Sequence, residues 1–446
     1  MLAPPLDVNK ADQDFLMSTD VKNYIFPHKL LHKKKTGAGS FGNVYRVVVD
    51  DGKKTVLALK VSKNKNKLLP HDFIREIGIL KRISESTSRT GVDRLVHLVG
   101  LIIDKDNSNS QITSMFTPFY ELGNLSSFFS TKGFTLTVPL IRQMCIDLFS
   151  MLEQLHAHDI IHRDFKSGNI VISKSMRLVL VDFGQSVILR HRYEMTGRTV
   201  TSLHVRAPEI ICGSRSYDCQ VDVHACACII WEILMGGQRL FPSMNSKNIK
   251  GHSDKKSFMI YQIYYLLGSQ IRDYHKNREF SKIHRPTVAA IQSLPSRNRH
   301  VEDTFYRRYN RTLKLRQVTP LNKCELTQAC SMVNSLLFWF PFERQRITRK
   351  SNWRQKIAFL KPGNIPFHFL EKGEPTEQDC QSSIPTMDIS RAILPTTNIQ
   401  ITSPPEEASY LGKRKRNRGG KKIKRRKLNS KQMNLLLLFK KTSRMF

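Results

Sequence analysis

In this 446-residue chain the residues able to do chemistry come in a fixed order. IHRDFKSGNIVI, Ile161–Ile172, offers Asp164 to accept or orient the proton of a hydroxyl, Lys166 to steady a transferring phosphoryl group and Asn169 as an oxygen ligand for magnesium. Thirteen residues after Asn169, in VDFG, Asp182 supplies a second oxygen ligand, a gap that suits a short hairpin. RAPE, Arg206–Glu209, closes the segment. Upstream lies the glycine loop Gly37, Ala38, Gly39, Ser40, Phe41, Gly42, Asn43 and Val44, whose missing side chains let backbone N–H groups approach triphosphate oxygens. By itself this loop reads equally well as a plain glycine hairpin, and its place between candidate strands argues against a dinucleotide fold. LALK puts Lys60 on a strand, and Glu76 follows sixteen residues later on a candidate helix. The two can form an ion pair that aims the ammonium at the α and β phosphates; without the other motifs they would read as a surface lysine and a solvated glutamate. Together the motifs describe phosphoryl transfer from a magnesium-bound nucleoside triphosphate.

These side chains need a scaffold, and the apolar pattern supplies one. FGNVYRVVV and TVLALKV, separated by Asp50-Asp51-Gly52, read as a hairpin. DFIREIGILKRI places Phe73, Ile77 and Leu80 on one side at helical spacing, with Ile74 and Ile79 widening the face, so a helix should pack on the hairpin. Past Thr137 the helical period takes over, and VDVHACACIIWEIL is apolar almost all round, as a helix deep in a core would be. A β-rich part with one helix thus precedes a mainly helical part, the two joined near residues 117–123, and the chain after about 360 turns rich in Pro, Ser, Thr and charge, which predicts a disordered tail.

The net charge of +35 implies polyanionic surroundings such as nucleic acid or acidic proteins, and Lys413–Lys427 concentrates eleven basic residues with no acid. The eight cysteines make no C-x-x-C unit, which suggests neither a zinc site nor a disulfide framework and fits a reducing interior. The first twenty residues lack the order of a signal peptide, and no apolar run approaches the ~18 residues of a membrane span, so a soluble protein with no membrane partner is expected. Leu435–Phe439 is too short to span and reads as a packing or docking patch.

With these motifs on the page, residues 30–358, roughly three quarters of the chain, resemble the eukaryotic serine/threonine protein kinase domain. The resemblance implies an α+β, two-lobed fold: an antiparallel β-sheet lobe with one main helix at 30–117 and a larger helical lobe at 118–358, flanked by an N-terminal extension, 1–29, and the disordered basic tail, 359–446. It implies ATP and Mg²⁺ between the lobes, with Val44, Ala58 and Val171 around the adenine and MFTPFYELGNL as the hinge, in which Thr117 is the gatekeeper, Pro118 offers its carbonyl and Tyr120 its N–H. Lys166 resembles the serine/threonine rather than the tyrosine kinases. PHDFIREIGILKRI and TSLHVRAPEII resemble the branch of cyclin-dependent and mitogen-activated kinases, which allows a cyclin-like or other regulatory subunit on the Phe73–Leu80 helix. Arg163 resembles the arginine that receives an activation-loop phosphate, making Thr196 or Thr199 candidate phosphosites, although Gly197 comes nearest the family's position. Glu209 should pair with Arg344 or Arg346.

Several positions depart from the pattern. Ser167 stands where proline is usual, His224 and Ala225 where Trp and Ser are common, and His204 where another Trp is frequent; these changes could loosen the peptide platform and alter substrate choice, but no phosphate or metal ligand is lost. Residues 247–316 form a long basic stretch whose SRNRH and FYRRYNR interleave aromatics with arginines, either a docking surface for acidic substrates or nucleic acid or a solvated insert. Lys413–Lys427 resembles a nuclear import signal, which makes an import receptor or nucleic acid a partner and the nucleus, with or without the cytoplasm, the expected location. The competing reading is a pseudokinase scaffold that binds nucleotide and acidic or nucleic-acid partners; a lipid or small-molecule kinase is disfavoured by RAPE. The divergent tryptophan positions and basic tail would also suit a viral kinase.

Overall fold

In the computed structural model of the protein the described residues are 24–38, 42–62, 71–87, 94–106, 109–130, 136–189, 202–214, 217–242, 252–269, 296–315, 320–348, 351 and 353–356. Gly39, Ser40, Phe41, Thr196, Thr199, residues 270–295 and the tail with Lys413–Lys427 and Leu435–Phe439 lie outside them. The chain divides into a unit of residues 1–364 and one of 365–446, and every described residue belongs to the first.

The N-terminal lobe is a five-stranded antiparallel sheet of β1 (Leu30–Ala38), β2 (Gly42–Val49), β3 (Val56–Ser62), β4 (Gly100–Asp106) and β5 (Asn109–Pro118), in the order β1-β2-β3-β5-β4. The β2–β3 turn falls at Asp50-Asp51-Gly52: Asp51 accepts the backbone N–H groups of Lys53 and Thr55 at 3.1 Å, and Gly52 takes a positive φ of 79°. Because side chains alternate across a strand, Leu57 and Leu59 join Val47, Val49 and Phe116 in a core on one face, while Ala58 and Lys60 turn to the other. Register carries the second face across the sheet, with Val44 opposite Lys60, Arg46 opposite Ala58 and Ala58 opposite Thr117.

Helix α1, His71–Thr87, buries Phe73, Ile77, Ile79, Leu80 and Ile83, whose spacing makes one apolar side. Phe73, Ile77 and Leu80 are therefore engaged in the lobe's own core at 0–1% exposure, and a regulatory subunit would meet other residues of this helix, such as Ile74, Arg75 and Gly78. The segment before β1 also belongs to the packing. Phe26 donates its N–H to the Leu101 carbonyl at 2.9 Å and stacks on Phe116 with ring centres 4.0 Å apart. Gly100 makes room for it, since a Cβ there would come within 2.8 Å of the Phe26 ring.

The second lobe is mainly helical: α2 (Leu125–Phe128), α3 (Val138–Ala157), α4 (Pro208–Ile211), α5 (Gln220–Leu234), α6 (His252–Leu267), α7 (Val301–Leu315), α8 (Lys323–Leu336) and α9 (Trp353–Lys356). Thr137 caps α3 through its side chain, and Asn322 with Glu325 forms a capping box on α8. Every residue of α5 is buried, as its all-round apolar sequence predicts. Two short ladders, β6 (Ile160–Ile161) with β9 (Val187–Ile188) and β7 (Ile170–Ile172) with β8 (Leu178–Leu180), lie under the cleft.

Three arginines between 296 and 316 pack on the protein itself, while Arg307 and Arg311 are exposed. Arg299 donates to the Asn334 side chain and carbonyl and lies over Phe338, Arg297 sits 3.6 Å over Tyr265, and Arg308 donates to the Leu240 carbonyl at 2.8 Å beside Trp231. The aromatic and arginine alternation holds the lobe together at these positions, which removes these three side chains from a free polyanion surface.

Candidate active site

The cleft is built from the catalytic segment upward. Asp222, at the start of α5, is buried and accepts the backbone N–H groups of His162 (2.7 Å) and Arg163 (3.0 Å), which fixes the loop that carries Asp164. Burial pushes the Asp222 carboxyl up to about 7 in spite of those two donors. This anchoring acid was missed in sequence, although an aspartate opening an otherwise apolar helix is the signal for it. His162 packs between the rings of Phe165 and Phe183, and burial holds its imidazole below the usual range.

Asp164 lies at the centre of a compact network. Lys166 Nζ donates to Asp164 Oδ2 at 2.5 Å, and Asn169 Nδ2 donates to the same carboxylate at 3.1 Å and to the Asp164 carbonyl at 3.0 Å. Ser202, a residue sequence reasoning passed over within TSLHVRAPE, donates its hydroxyl to Asp164 Oδ1 at 2.9 Å and receives Lys166 Nζ at 3.3 Å. Its backbone N–H reaches the same oxygen at 3.2 Å. With its amide nitrogen turned to Asp164, Asn169 presents its oxygen as an acceptor, and its carbonyl takes the Val181 N–H at 2.9 Å, which links it to the strand before Asp182.

Lys60 connects the two lobes. Its ammonium donates to Glu76 at 2.6 Å and to Asp182 at 2.8 Å. Burial works against that charge, yet Glu76 and Asp182 hold the ammonium above its usual pKa. Glu76 is buried, and burial raises its carboxyl while Lys60 and the Phe183 N–H oppose the rise. Asp182 is half-exposed to the cleft, and Lys60 keeps it below the usual carboxylate range against the opposing effect of burial. It takes a left-handed backbone with φ of 66°, rare for a non-glycine residue.

Val44, Ala58 and Thr117 share the face with Lys60, and Val171 on β7 is joined to the hinge by the Ile172 N–H on the Gly123 carbonyl at 3.0 Å. Pro118 ends β5, and the Tyr120 carbonyl receives the Gly123 N–H at 3.2 Å. Gly42 is pressed against the Val61 carbonyl, which a Cβ would meet at 2.7 Å, whereas a Cβ on Gly37 would meet nothing within 4 Å. The first glycine serves strand contact; the second borders open space of the kind a phosphate needs. The donor set also fits a magnesium nucleotide, because Asp182 and Asn169 offer hard oxygens and Mg²⁺ takes its remaining ligands from phosphate and water. Among the described residues no three His, Cys, Asp or Glu side chains form a separate metal cage.

Around this centre the departures are accommodated. Ser167 hydrogen-bonds the buried Glu232, whose carboxyl burial raises, and His204 is pushed down to about 4 by burial together with Arg239 and Lys166. Arg163 donates Nε to the Gln185 carbonyl at 2.6 Å and reaches the Tyr217 hydroxyl at 3.4 Å. Of the two arginines open for Glu209, it is Arg344 that forms the bidentate pair, at 2.7 and 2.6 Å, while Arg346 is exposed.

Comparison with known proteins agrees with this geometry. Residues 30–344 match the protein kinase domain family. The chain is 29% identical over 214 residues to a probable cell division protein kinase of Encephalitozoon cuniculi, covering 48% of this chain and 73% of that protein. It is 31% identical over 242 residues to cyclin-dependent kinase C-2 C of Arabidopsis thaliana, and 28% over 288 residues to a probable cyclin-dependent kinase 9 of Schizosaccharomyces pombe, covering 53% and 61% of this chain but 34% and 45% of those proteins. The chain belongs to the protein kinase domain family and is a protein serine/threonine kinase.

Proposed function

We propose that the protein transfers the γ-phosphoryl group of Mg-ATP to serine and threonine hydroxyls of protein substrates, through the residues gathered around Asp164 and Lys60. The observation that carries this reading is the joint closure of two networks, Lys60 with Glu76 and Asp182, and Asp164 with Lys166, Asn169 and Ser202. Lys60 is held where its ammonium can meet the α and β phosphates, and Glu76 keeps it there. Asp164 accepts the proton of the incoming hydroxyl as its oxygen bonds to the γ-phosphorus and ADP leaves; Lys166, already on Asp164, offsets charge on the transferred group. Asn169 and Asp182 would hold Mg²⁺, which supplies charge neutralisation at the phosphate oxygens.

Val44, Ala58 and Val171 form the adenine walls in this reading, Thr117, Pro118 and Tyr120 its hinge, and the loop Gly37–Gly42 the phosphate cover. The kinship with cyclin-dependent kinases supports a regulatory subunit reading the half-buried side of α1. The charge of Lys413–Lys427 supports nuclear residence through an import receptor, or binding of nucleic acid.

The test is γ-phosphate transfer from Mg-ATP to a library of Ser, Thr and Tyr peptides by the full chain, with Lys60→Met and Asp182→Asn alongside. Transfer confined to Ser and Thr peptides and lost in both variants is expected. Absence of transfer with and without cyclin-like partners would replace this reading with that of a scaffold.

A further inference from the structure

A contact outside the predicted site closes the outer edge of the cleft. Arg46 lies two residues beyond Val44 on β2, hence on the same face, and opposite Ala58 on β3. Its guanidinium donates to Glu121 Oε1 at 3.2 Å and lies 5.8 Å over the ring of Phe119. Both partners belong to the connection after β5 and flank Tyr120, and Glu121 is 75 positions from Arg46 in sequence. The N-terminal sheet and the connection are thereby joined at a half-exposed contact beside Tyr120.

We infer that Arg46 and Glu121 act as a latch on the mouth of the nucleotide site, positioning residues that set how long ATP stays bound without taking part in phosphoryl transfer. This rests on the proposed placement of the adenine against Val44, Ala58 and Val171. Arg46 shares its face of the sheet with Val44 and with Ala58 opposite it, and the contacts of the two latch residues are made with each other and with Phe119 rather than with Asp164, Lys166 or Asn169. The guanidinium is suited to the place because it can pair with a carboxylate and lie on a ring together, which an ammonium does less well. Lys34 stands opposite Arg46 on β1, so Glu121 also offsets a like-charge pair across the strands.

Side-chain exposures of 35% for Arg46 and 44% for Glu121 limit the effect, since solvent screens such a pair. The expected loss of nucleotide affinity is therefore about two- to fivefold. Because Lys34 could replace Arg46, the experiment removes each partner in turn.

Binding of a fluorescent ATP analogue with Mg²⁺, and steady-state kinetics with the peptide the wild type prefers, would be measured on the full chain for Arg46→Ala, Glu121→Gln, Arg46→Lys and the exchange Arg46→Glu with Glu121→Arg. The latch predicts that the analogue's Kd and the KM for ATP rise about two- to fivefold in both single removals, with kcat and peptide KM within about twofold of wild type. Arg46→Lys should recover part and the exchange most of the affinity, and the wild-type advantage should shrink in high salt. Wild-type nucleotide binding with unchanged Kd in every variant would overturn the latch and leave the kinase reading intact. An equal fall in kcat, or an exchange as weak as the single removals, would also overturn it. A wild type that binds no nucleotide would overturn both.

Discussion

The catalytic cleft and the core around α5 treat polar groups in opposite ways. In the cleft, each polar group of the proposed site has a partner within 3.1 Å: Lys60, Glu76 and Asp182 form one set, and Asp164, Lys166, Asn169 and Ser202 another. On α5, His224 is fully buried, stacked on Phe241, and neither of its ring nitrogens finds a hydrogen-bond partner. Gln220 Oε1 and Trp231 Nε1 on the same helix are likewise unpaired. Chemistry fixes both the type and the geometry of a side chain, whereas packing asks for volume and tolerates substitution at some cost. Two of the positions that depart from the kinase pattern, His224 and Ala225, lie in this packed core, and the other two, Ser167 and His204, lie beside the cleft without replacing a charged group in it.

The comparison can be broken first at the seam between the two regions. Glu209 and Arg344 are almost fully buried, and their bidentate pair ties the RAPE segment to the end of the domain. Glu209→Ala leaves a guanidinium buried without its charge partner and should cost about 3–5 kcal/mol of stability by denaturant unfolding. A loss below about 1 kcal/mol would show that the pair is not what holds that seam. Within the cleft, Ser202→Ala removes the hydroxyl between Asp164 and Lys166. It should lower kcat about tenfold, the size of one hydrogen bond to a charged group, with the KM for ATP unchanged. An unaltered kcat would separate Ser202 from the catalytic network.

The smallest effect belongs to the packed core and carries a pH signature. His224→Leu removes two unpaired ring nitrogens and should stabilise the chain by about 1–2 kcal/mol at pH 7. Burial, with Arg344 nearby, holds the His224 pKa well below its ordinary value. The unfolded chain therefore takes up a proton near pH 6.5 that the folded chain refuses, and wild-type stability falls as the pH drops through that value. The advantage of His224→Leu should widen between pH 7 and pH 5, by up to about 1.4 kcal/mol per unit. A constant advantage would mean that His224 takes up its proton at the same pH in the folded and the unfolded chain, and an advantage that narrows would mean that folding favours the protonated ring.

How much of this was legible in sequence follows the same division. The proposed site residues could be read because phosphoryl transfer needs those side chain types in that order, and the alternation of β2 and β3 with the apolar side of α1 told which elements carry Lys60 and Glu76. Asp222 and Ser202 escaped because their work is done by bonds to residues 59 and 38 positions away. Spacing alone shows no such contact. Arg297, Arg299 and Arg308 left more than one reading open for the opposite reason, since alternating Arg and aromatic residues look the same whether the partner is a nucleic acid or the protein's own Tyr265, Phe338 and Trp231. The choice between Arg344 and Arg346 needed coordinates, because both stand near the same turn and only one points inward.

The central claim is that a complete polar cleft works as an enzyme upon a divergent core, and the most direct test compares turnover with stability in Asp164→Asn. The substitution keeps the size of the side chain and removes its charge. Transfer of γ-phosphate from Mg-ATP to a Ser/Thr peptide should fall about 10²–10⁴-fold, while the melting temperature stays within a few degrees of wild type. Turnover equal to that of the wild type at unchanged stability would contradict the assignment of Asp164 as the base and, with it, the account of the cleft.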